Sequence, residues 1–133
     1  MLKMRPDQMR AFAVHAERQL AARSVKYVRR EFPSAVAGLP LSEQRARVRY
    51  GMWRARNHRL ERERSLTTFV TLMYVIGPDF DRHPDVQVHL LGAASPDDAC
   101  DALLDGLGEE HWNRIARGCS SSVWMEAREQ WRR

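Results

Sequence analysis

The chain has 133 residues, a net charge of +5 and 44% hydrophobic residues, which is typical of one globular domain, here residues 1–133. Residues 1–64 hold 16 Lys and Arg against 6 Asp and Glu, residues 65–113 hold 1 against 9, and residues 114–133 hold 5 against 2. The absence of any apolar run near ~20 residues excludes a membrane-spanning chain, and the uneven charge predicts one basic and one acidic side.

The N-terminal segment and the cysteines indicate a protein of the cytoplasm. Residues 1–26 carry charges throughout and lack the apolar core and cleavage site of a signal peptide. Cys100 and Cys119 are the only thiols, with neither CxxC spacing nor a histidine at ligand spacing. We therefore expect both to be reduced packing residues that form no disulfide and bind no metal.

The first predicted helix is long and amphipathic. Pro6 at the first helical position and Asp7 in the first turn favour a helix from Pro6 to about Glu31. It ends there because Pro33 disfavours helical geometry at Phe32. The apolar positions recur at three- and four-residue steps, which predicts one buried stripe: Met9, Phe12, Ala13, Ala16, Leu20, Tyr27 and Val28.

The second predicted helix, from an N-cap at Ser42 to about His58, carries two apolar stripes. The stripe that can face the core consists of Val48, Gly51, Met52 and Ala55, and the other consists of Ala46, Tyr50 and Trp53. Other helices of the chain can cover both stripes. Alternatively, the second stripe is an open aromatic and arginine surface of the kind enriched at protein interfaces. The candidate partner-binding residues are then Arg45, Arg49, Tyr50, Trp53 and Arg56.

The segment at residues 65–81, SLTTFVTLMYVIGPDFD, predicts a buried central helix at about 65–76, with the other helices around it. Leu66, Phe69, Val70, Leu72, Met73 and Ile76 share one side, and uncharged threonines occupy the other. We expect Gly77 to take a left-handed conformation and Pro78 to stop the helix. The structural turn then continues through Asp79, Phe80 and Asp81, with the ring of Phe80 folded back onto the helix end.

The C-terminal third predicts further short helices. One begins at Pro84 and ends at Gly92, and another begins with Ser95 as N-cap and Pro96 at its first position. That helix should bury Ala99, Leu103 and Leu107, and helices at about 109–117 and 121–132 should follow, with Trp131 among their buried residues. Since no segment alternates with period two over the length of a strand, we predict an all-α bundle of six or seven helices.

A metal site and catalysis both find little support in the sequence. Four potential ligands alternate after the central helix: Asp79, Asp81, His83 and Asp85. An EF-hand loop needs a glycine at its sixth position and a glutamate at its twelfth, where this chain has Pro84 and Leu90. We expect Asp79 or Asp81 to cap backbone N–H groups of the turn and the next helix instead, and a His/Asp metal site is the less favoured alternative. With no phosphate-binding loop and no paired nucleophile and base, we expect neither an enzyme nor a cofactor.

Nucleic-acid binding is a second alternative, which one part of the charge pattern supports and another part opposes. The arginines of residues 45–64 could contact phosphates. However, they are spread around the helix and alternate with Glu61 and Glu63. No helix-turn-helix or zinc motif is present, and the acidic residues 65–113 would repel a duplex. We therefore expect no nucleic-acid partner.

Several motifs resemble a known group of proteins: EFP at 31–33, RYGMWRAR at 49–56, ERER at 61–64 and FVTLMYVIGPDFD at 69–81. Together they are similar to small helical accessory proteins of Gram-negative bacteria, encoded beside type VI secretion effectors and their adaptor chaperones. The similarity covers residues 10–92 and leaves residues 93–133 outside. It implies a non-catalytic accessory chaperone or co-adaptor that binds an adaptor chaperone, a secreted effector or both. An immunity protein that neutralises a cognate toxin is the alternative.

Overall fold

The structure, a computed structural model, describes residues 5–91 and 94–131, apart from the side chains at positions 12, 128, 130 and 131. The described part of the chain is all-α, as predicted, with no strand. Two short 3-10 segments lie at Pro33–Val36 and Phe80–Arg82. The α-helices are α1 (Pro6–Glu31), α2 (Leu41–Asn57), α3 (Glu63–Val75), α4 (Pro84–Leu91), α5 (Pro96–Gly106), α6 (Glu109–Gly118) and α7 (Val123–Trp131).

Helix α1 has the predicted bounds, but only its C-terminal half is packed. Leu20, Val25 and Val28 are buried, whereas Met9 is 57% exposed and Ala13 and Ala16 are also exposed. The predicted stripe is therefore wrong for its N-terminal part. The reason is length: the 26 residues of α1 span about 39 Å, against about 26 Å for the 17 residues of α2. Phe12, which belongs to the same predicted stripe, lies outside the described side chains.

Helix α2 packs against α1, α3 and α7. The predicted core stripe is confirmed, since Val48, Met52 and Ala55 are each at most 1% exposed. Gly51 gives α3 room to approach, because a Cβ there would meet Val70 Cγ2 at 3.0 Å. The predicted N-cap is wrong: Pro40 occupies that position, and its carbonyl accepts the first backbone N–H groups of the helix.

Helix α3 is buried on one side only. Leu66, Phe69, Val70, Leu72 and Met73 lie in the core. The threonines on the other side are half-buried, and Val75, at the end of that side, is 45% exposed. The expectation of a helix enclosed on all sides is therefore not met. Helices α1 and α5 flank α3, and the threonine side opens onto a groove between α1 and α6.

The turn after α3 is structural, but the predicted reason for its glycine is wrong. Among the described glycines only Gly38 has a positive φ, of 77°. Gly77 instead makes room for a neighbour, because a Cβ on it would overlap with the Cβ and Sγ of Cys119, which directly follows α6. Phe80 folds back as predicted and packs on Phe69 with their ring centroids 4.9 Å apart.

The C-terminal helices complete the core. Ser95 caps α5 as predicted, and its hydroxyl accepts from Asp98 N at 3.4 Å. Cys100 and Leu103 of α5 and Ile115 of α6 are fully buried. Helix α7 lies against α2 and buries Val123, Trp124 and Ala127. The predictions for Gly92 and for the Trp131 side chain fall outside the part of the chain that the structure describes.

The packing of α3 predicts a large difference between its two sides. Phe69→Ala should lower the free energy of unfolding by about 3–5 kcal/mol, because it removes a buried ring and leaves a cavity. Val75→Ala, on the half-exposed side, should change the free energy of unfolding by less than about 0.5 kcal/mol. Urea denaturation followed by circular dichroism measures both. Equal shifts in the two variants would contradict the one-sided burial of α3.

The contact of Gly77 with Cys119 predicts a specific rescue. Gly77→Ala should destabilise the fold by about 1–3 kcal/mol, because the added methyl group has no space. In a Cys119→Gly background most of that loss should disappear, since the overlapping atoms are gone. Urea denaturation measures the loss of stability in both backgrounds. If Gly77→Ala lowers the free energy of unfolding equally in the two, backbone conformation rather than lack of space would explain why a glycine is needed at position 77.

Candidate functional site

A buried cluster of charges joins α2 to the turn after α3. Arg54 is 7% exposed and Asp81 is 5% exposed, and the Arg54 Nη2 donates to Asp81 Oδ1. The His58 Nε2 lies 2.9 Å from Asp81 Oδ2, so both carboxylate oxygens are engaged. Burying two opposite charges in this way is tolerable only because each has a partner.

The same cluster reaches α7 through Tyr50. Arg54 Nη1 donates to the Tyr50 hydroxyl at 3.3 Å, and that hydroxyl donates to Glu126 Oε2 at 2.9 Å. Burial raises the pKa of Tyr50, with Arg54 opposing the rise and Glu126 adding to it. The phenol is therefore a neutral donor at physiological pH. The chain Asp81, Arg54, Tyr50, Glu126 links three elements that are distant in the sequence.

The electrostatics of Asp81 follow from the same contacts. Burial opposes its ionisation, but the hydrogen bonds from His58 and Arg54 outweigh burial and hold the pKa of the Asp81 carboxyl below its ordinary value. The cluster brings a carboxylate, a guanidinium and an imidazole together, and no serine or cysteine among the described side chains forms a hydrogen bond with them. Its geometry is suited to fastening helices together.

The predicted roles of the aspartates in the turn are corrected by these contacts. Neither carboxylate caps the turn or the next helix: Asp81 belongs to the buried cluster. Asp79 Oδ1 instead accepts from the backbone N of Ser120, just before α7, at 3.0 Å. Within residues 5–91 and 94–131, no three His, Cys, Asp or Glu side chains are grouped so that they could hold a metal ion.

The five predicted partner-binding residues do not form one surface. Tyr50 is 1% exposed and Ala46 is 3% exposed, because α7 covers most of the second stripe of α2. Tyr50 is therefore not available to a partner, and its assignment is wrong in this respect. Trp53, on the same stripe, is 43% exposed, and its ring contacts the Tyr50 ring at a centroid distance of 5.7 Å. Arg45 is exposed, but it is not one of the residues that line the groove described next.

Three of these residues line a groove between α1 and α2, here called the α1–α2 groove. It has a volume of about 680 Å³, and Arg49, Trp53 and Arg56 form its α2 side. Ala13 and Val14, from the protruding half of α1, lie on the other side. Arg56 Nη2 donates to Glu17 Oε2 at 2.6 Å across the groove, which fixes the position of both side chains. The structure thus combines the predicted arginines and Trp53 with a part of α1 that the sequence had assigned to the core.

A second and larger groove lies on the threonine side of α3, here called the α3 groove. Its volume is about 1200 Å³, and it runs between the C-terminal half of α1 and the segment from the end of α5 into α6. Val75 at its base is 45% exposed. Sequence reasoning missed this groove, although an uncharged threonine side on an otherwise apolar helix is the signal that could have indicated it.

The two thiols have environments that reduce their reactivity. Burial raises the pKa of Cys100 to about 12. Burial and the nearby Asp79 carboxylate likewise raise the pKa of Cys119 to about 12. Both cysteines are free, and Cys100 is buried. Because the thiolate is the reactive form, neither side chain is activated as a nucleophile at neutral pH.

No family model, curated protein or solved structure matches this chain. The similarity to accessory proteins of type VI secretion therefore remains an expectation from the sequence motifs. No helix in the described part of the chain is long and apolar enough to cross a membrane. The fold and the two grooves define an all-α protein with open surfaces between its helices.

The buried cluster predicts a large effect of one uncharged substitution. Asp81→Asn should lower the free energy of unfolding by about 3–5 kcal/mol, because it leaves the Arg54 charge buried without a counter-charge. Asp79→Asn is the matched control in the same turn. Its amide oxygen can still accept from Ser120, so it should cost less than about 1 kcal/mol. Urea denaturation at pH 7 measures both variants.

The pH dependence of that difference tests its electrostatic origin. Since the pKa of Asp81 is lower in the folded state, its stabilising effect is present above the ordinary aspartate pKa of about 4 and is lost as the pH falls through the lower folded-state value. The wild type and Asp81→Asn should therefore converge in stability as the pH is lowered below about 4. A difference that stays constant across this range would rule out the charge on Asp81 as the cause.

Proposed function

We propose that this chain is a non-catalytic protein-binding module of the cytoplasm, an accessory chaperone or co-adaptor that helps to load or stabilise a type VI secretion effector. The binding role is supported by the open α1–α2 groove. The more specific role is supported by the sequence motifs at residues 31–33, 49–56, 61–64 and 69–81. Its partners in this proposal are the adaptor chaperone and the secreted effector.

The observation that carries the proposal is the exposed ring of Trp53 at the edge of the α1–α2 groove. A tryptophan with 43% of its surface exposed leaves a large apolar area in water, and such rings often supply most of the binding energy at an interface. The buried Tyr50 ring packs against the Trp53 ring, with their centroids 5.7 Å apart. This contact limits the orientations of Trp53 and so reduces the entropy that a partner would have to remove on binding.

The protruding half of α1 extends the same surface. Val14 is 51% exposed and lines the groove together with Ala13. An unpacked helical stretch is marginally stable in water, so a partner that covers this side would stabilise it. The small side chains of Ala13 and Ala16 allow a neighbouring helix to approach α1 closely.

The basic excess of the segment that supplies α1 and α2 favours a partner with an acidic patch, although the α1–α2 groove itself carries both signs of charge. Residues 1–64, which supply α1 and α2, carry 16 basic and 6 acidic residues. The groove itself is lined by three arginines, Arg18, Arg49 and Arg56, and by three glutamates, Glu17, Glu61 and Glu63. Arg56 is paired with Glu17. Attraction between a basic surface and an acidic partner raises the association rate and orients the encounter.

A triple variant tests the proposal: Trp53→Ala with Arg49→Glu and Arg56→Glu. It removes the aromatic anchor and reverses the local charge. The Arg56–Glu17 pair that it breaks is about 45% and 42% exposed, and an ion pair of this exposure contributes at most about 1 kcal/mol, so the fold should persist. The control variant makes the same kinds of change at exposed positions outside the groove: Met125→Ala with Arg82→Glu and Arg117→Glu.

We expect the triple variant to weaken binding to an adaptor chaperone or effector that co-purifies with the wild type by at least about 2 kcal/mol, roughly 30-fold. The control should bind as the wild type does. Isothermal titration calorimetry measures the affinities, and circular dichroism verifies folding. Unchanged affinity in the triple variant would reject the α1–α2 groove as the interface. If the partner is a toxin whose activity is abolished on binding, the protein is an immunity protein, and tight salt-dependent binding to duplex DNA would indicate a nucleic-acid binder.

A further inference from the structure

The α3 groove has the dimensions of an unfilled helix position in the bundle. Its base is the threonine side of α3, one wall is the C-terminal half of α1, and the other wall is formed by α6 with the end of α5. Along the base, Thr68, Thr71 and Val75 are spaced by three and four residues, so they form one stripe. From Thr68 to Val75 this stripe is about 10 Å long, which matches about two turns of a second helix.

At the base of the groove, the hydroxyls of Thr67 and Thr71 already have neighbours within hydrogen-bonding distance in the protein. Thr71 donates its hydroxyl hydrogen to the Thr67 carbonyl of the same helix at 2.7 Å. The Thr67 hydroxyl lies 3.5 Å from the hydroxyl of Ser24 on α1. No charged residue occurs between Arg64 and Asp79. A ligand that packs on this base therefore displaces water without having to replace a charge or these hydrogen bonds.

The groove favours a helix over an extended peptide. A peptide in strand conformation needs the free edge of a sheet to satisfy its backbone N–H and C=O groups. The walls and base of this groove are helices, whose backbone groups already bond to one another. A helical ligand satisfies its own backbone, and the small β-branched side chains of the base let its axis come within the 8–10 Å that is usual for packed helices.

The charged residues that line the α3 groove indicate which charges a ligand should carry. On the α1 side, Arg23 is paired with Glu63 at 3.2 Å and Arg30 with Glu31 at 2.9 Å. Lys26 of α1 also lines the groove, and so does Arg64, which belongs to α3 and lies at the N-terminal end of the stripe formed by Thr68, Thr71 and Val75. No residue in the described ranges forms an ion pair with either one. The α6 side carries the opposite charge at Glu109 and an amide at Asn113.

We propose that the α3 groove binds one amphipathic helix of a partner protein. The apolar side of that helix packs on Thr68, Thr71 and Val75. Its acidic residues face Lys26 on the α1 wall and Arg64 at the N-terminal end of the base. Amides or basic residues occupy the edge that faces Glu109. This site lies further along α1 than the α1–α2 groove and beside α3 rather than α2, so the inference does not depend on the proposed function.

A display library of 18-residue helices is the probe. Its members share a leucine stripe at i, i+3, i+4 and i+7, and both flanking edges are drawn equally from Glu, Lys, Gln and Ala. Selection on the full-length protein should enrich glutamate on one edge, with glutamine or lysine on the other. Selected peptides are then labelled with a fluorophore, and their affinities are measured by fluorescence anisotropy.

Two matched pairs of variants locate the binding site. Lys26→Glu with Arg64→Glu should weaken the selected peptides at least tenfold, while Arg29→Glu with Arg114→Glu, at exposed positions outside the α3 groove, should leave them unchanged. Val75→Asp should abolish binding at the base. Val88→Asp, on the exposed side of α4, should have no effect, and circular dichroism verifies that all four variants fold.

Three results would overturn the proposal. The first is a selection in which glutamate is not enriched on either edge. The second is a set of selected peptides whose affinities do not change in Lys26→Glu with Arg64→Glu or in Val75→Asp. The third is a dimer of the wild type, seen by analytical ultracentrifugation, that Val75→Asp dissociates, because a second copy of the chain would then occupy the groove. Failure of the α1–α2 groove variant to weaken adaptor or effector binding would leave these results untouched.

Discussion

The buried ion pair between Arg54 and Asp81 is the contact on which the arrangement of the helices depends. A guanidinium that is 7% exposed and a carboxylate that is 5% exposed have both lost most of their water, and each is stable there only while the other is in place. The pair fixes α2 against the turn that ends α3. Through Tyr50 and Glu126 it also fixes α7 on α2, so three separate parts of the chain must meet correctly before the charges are satisfied.

Helix α7 is consequently an integral part of the core. Its Trp124 ring packs on Tyr74 with the centroids 5.2 Å apart, and the Arg47 guanidinium lies 4.8 Å from the centre of the same ring. The same helix covers Ala46 and Tyr50 of the second stripe of α2 and leaves Trp53 partly exposed. The sequence resemblance ends at residue 92, yet the packing around α2 and α3 is completed by residues beyond that point.

The local sequence pattern was sufficient to predict the helices but not the contacts between them. Proline and capping signals located the start of α1 and α5, and periodicity identified Val48, Met52 and Phe69 as core residues. The burial of Tyr50 was not predictable, because it is determined by Glu126, 76 residues away. The partners of Asp81 and the neighbour of Gly77 are likewise distant in sequence. They could not be predicted, because hydrophobic periodicity relates only residues that lie within a few turns of the same helix. Of the residues predicted to bind a partner, Arg49, Trp53 and Arg56 line the α1–α2 groove, whose α1 side the sequence did not indicate.

The overhang of α1 makes stability uneven along a single helix. From Leu20 onward its turns are anchored in the core, whereas residues 6–19 are mostly exposed and are tied to α2 by the Arg56–Glu17 pair. Turns of this kind unwind and reform without disturbing the rest of the fold. A partner that binds these turns must hold them in the helical conformation. The conformational entropy lost in that step lowers the affinity and raises the dissociation rate. A partner held on this half of α1 would therefore dissociate faster than one held on a rigid surface.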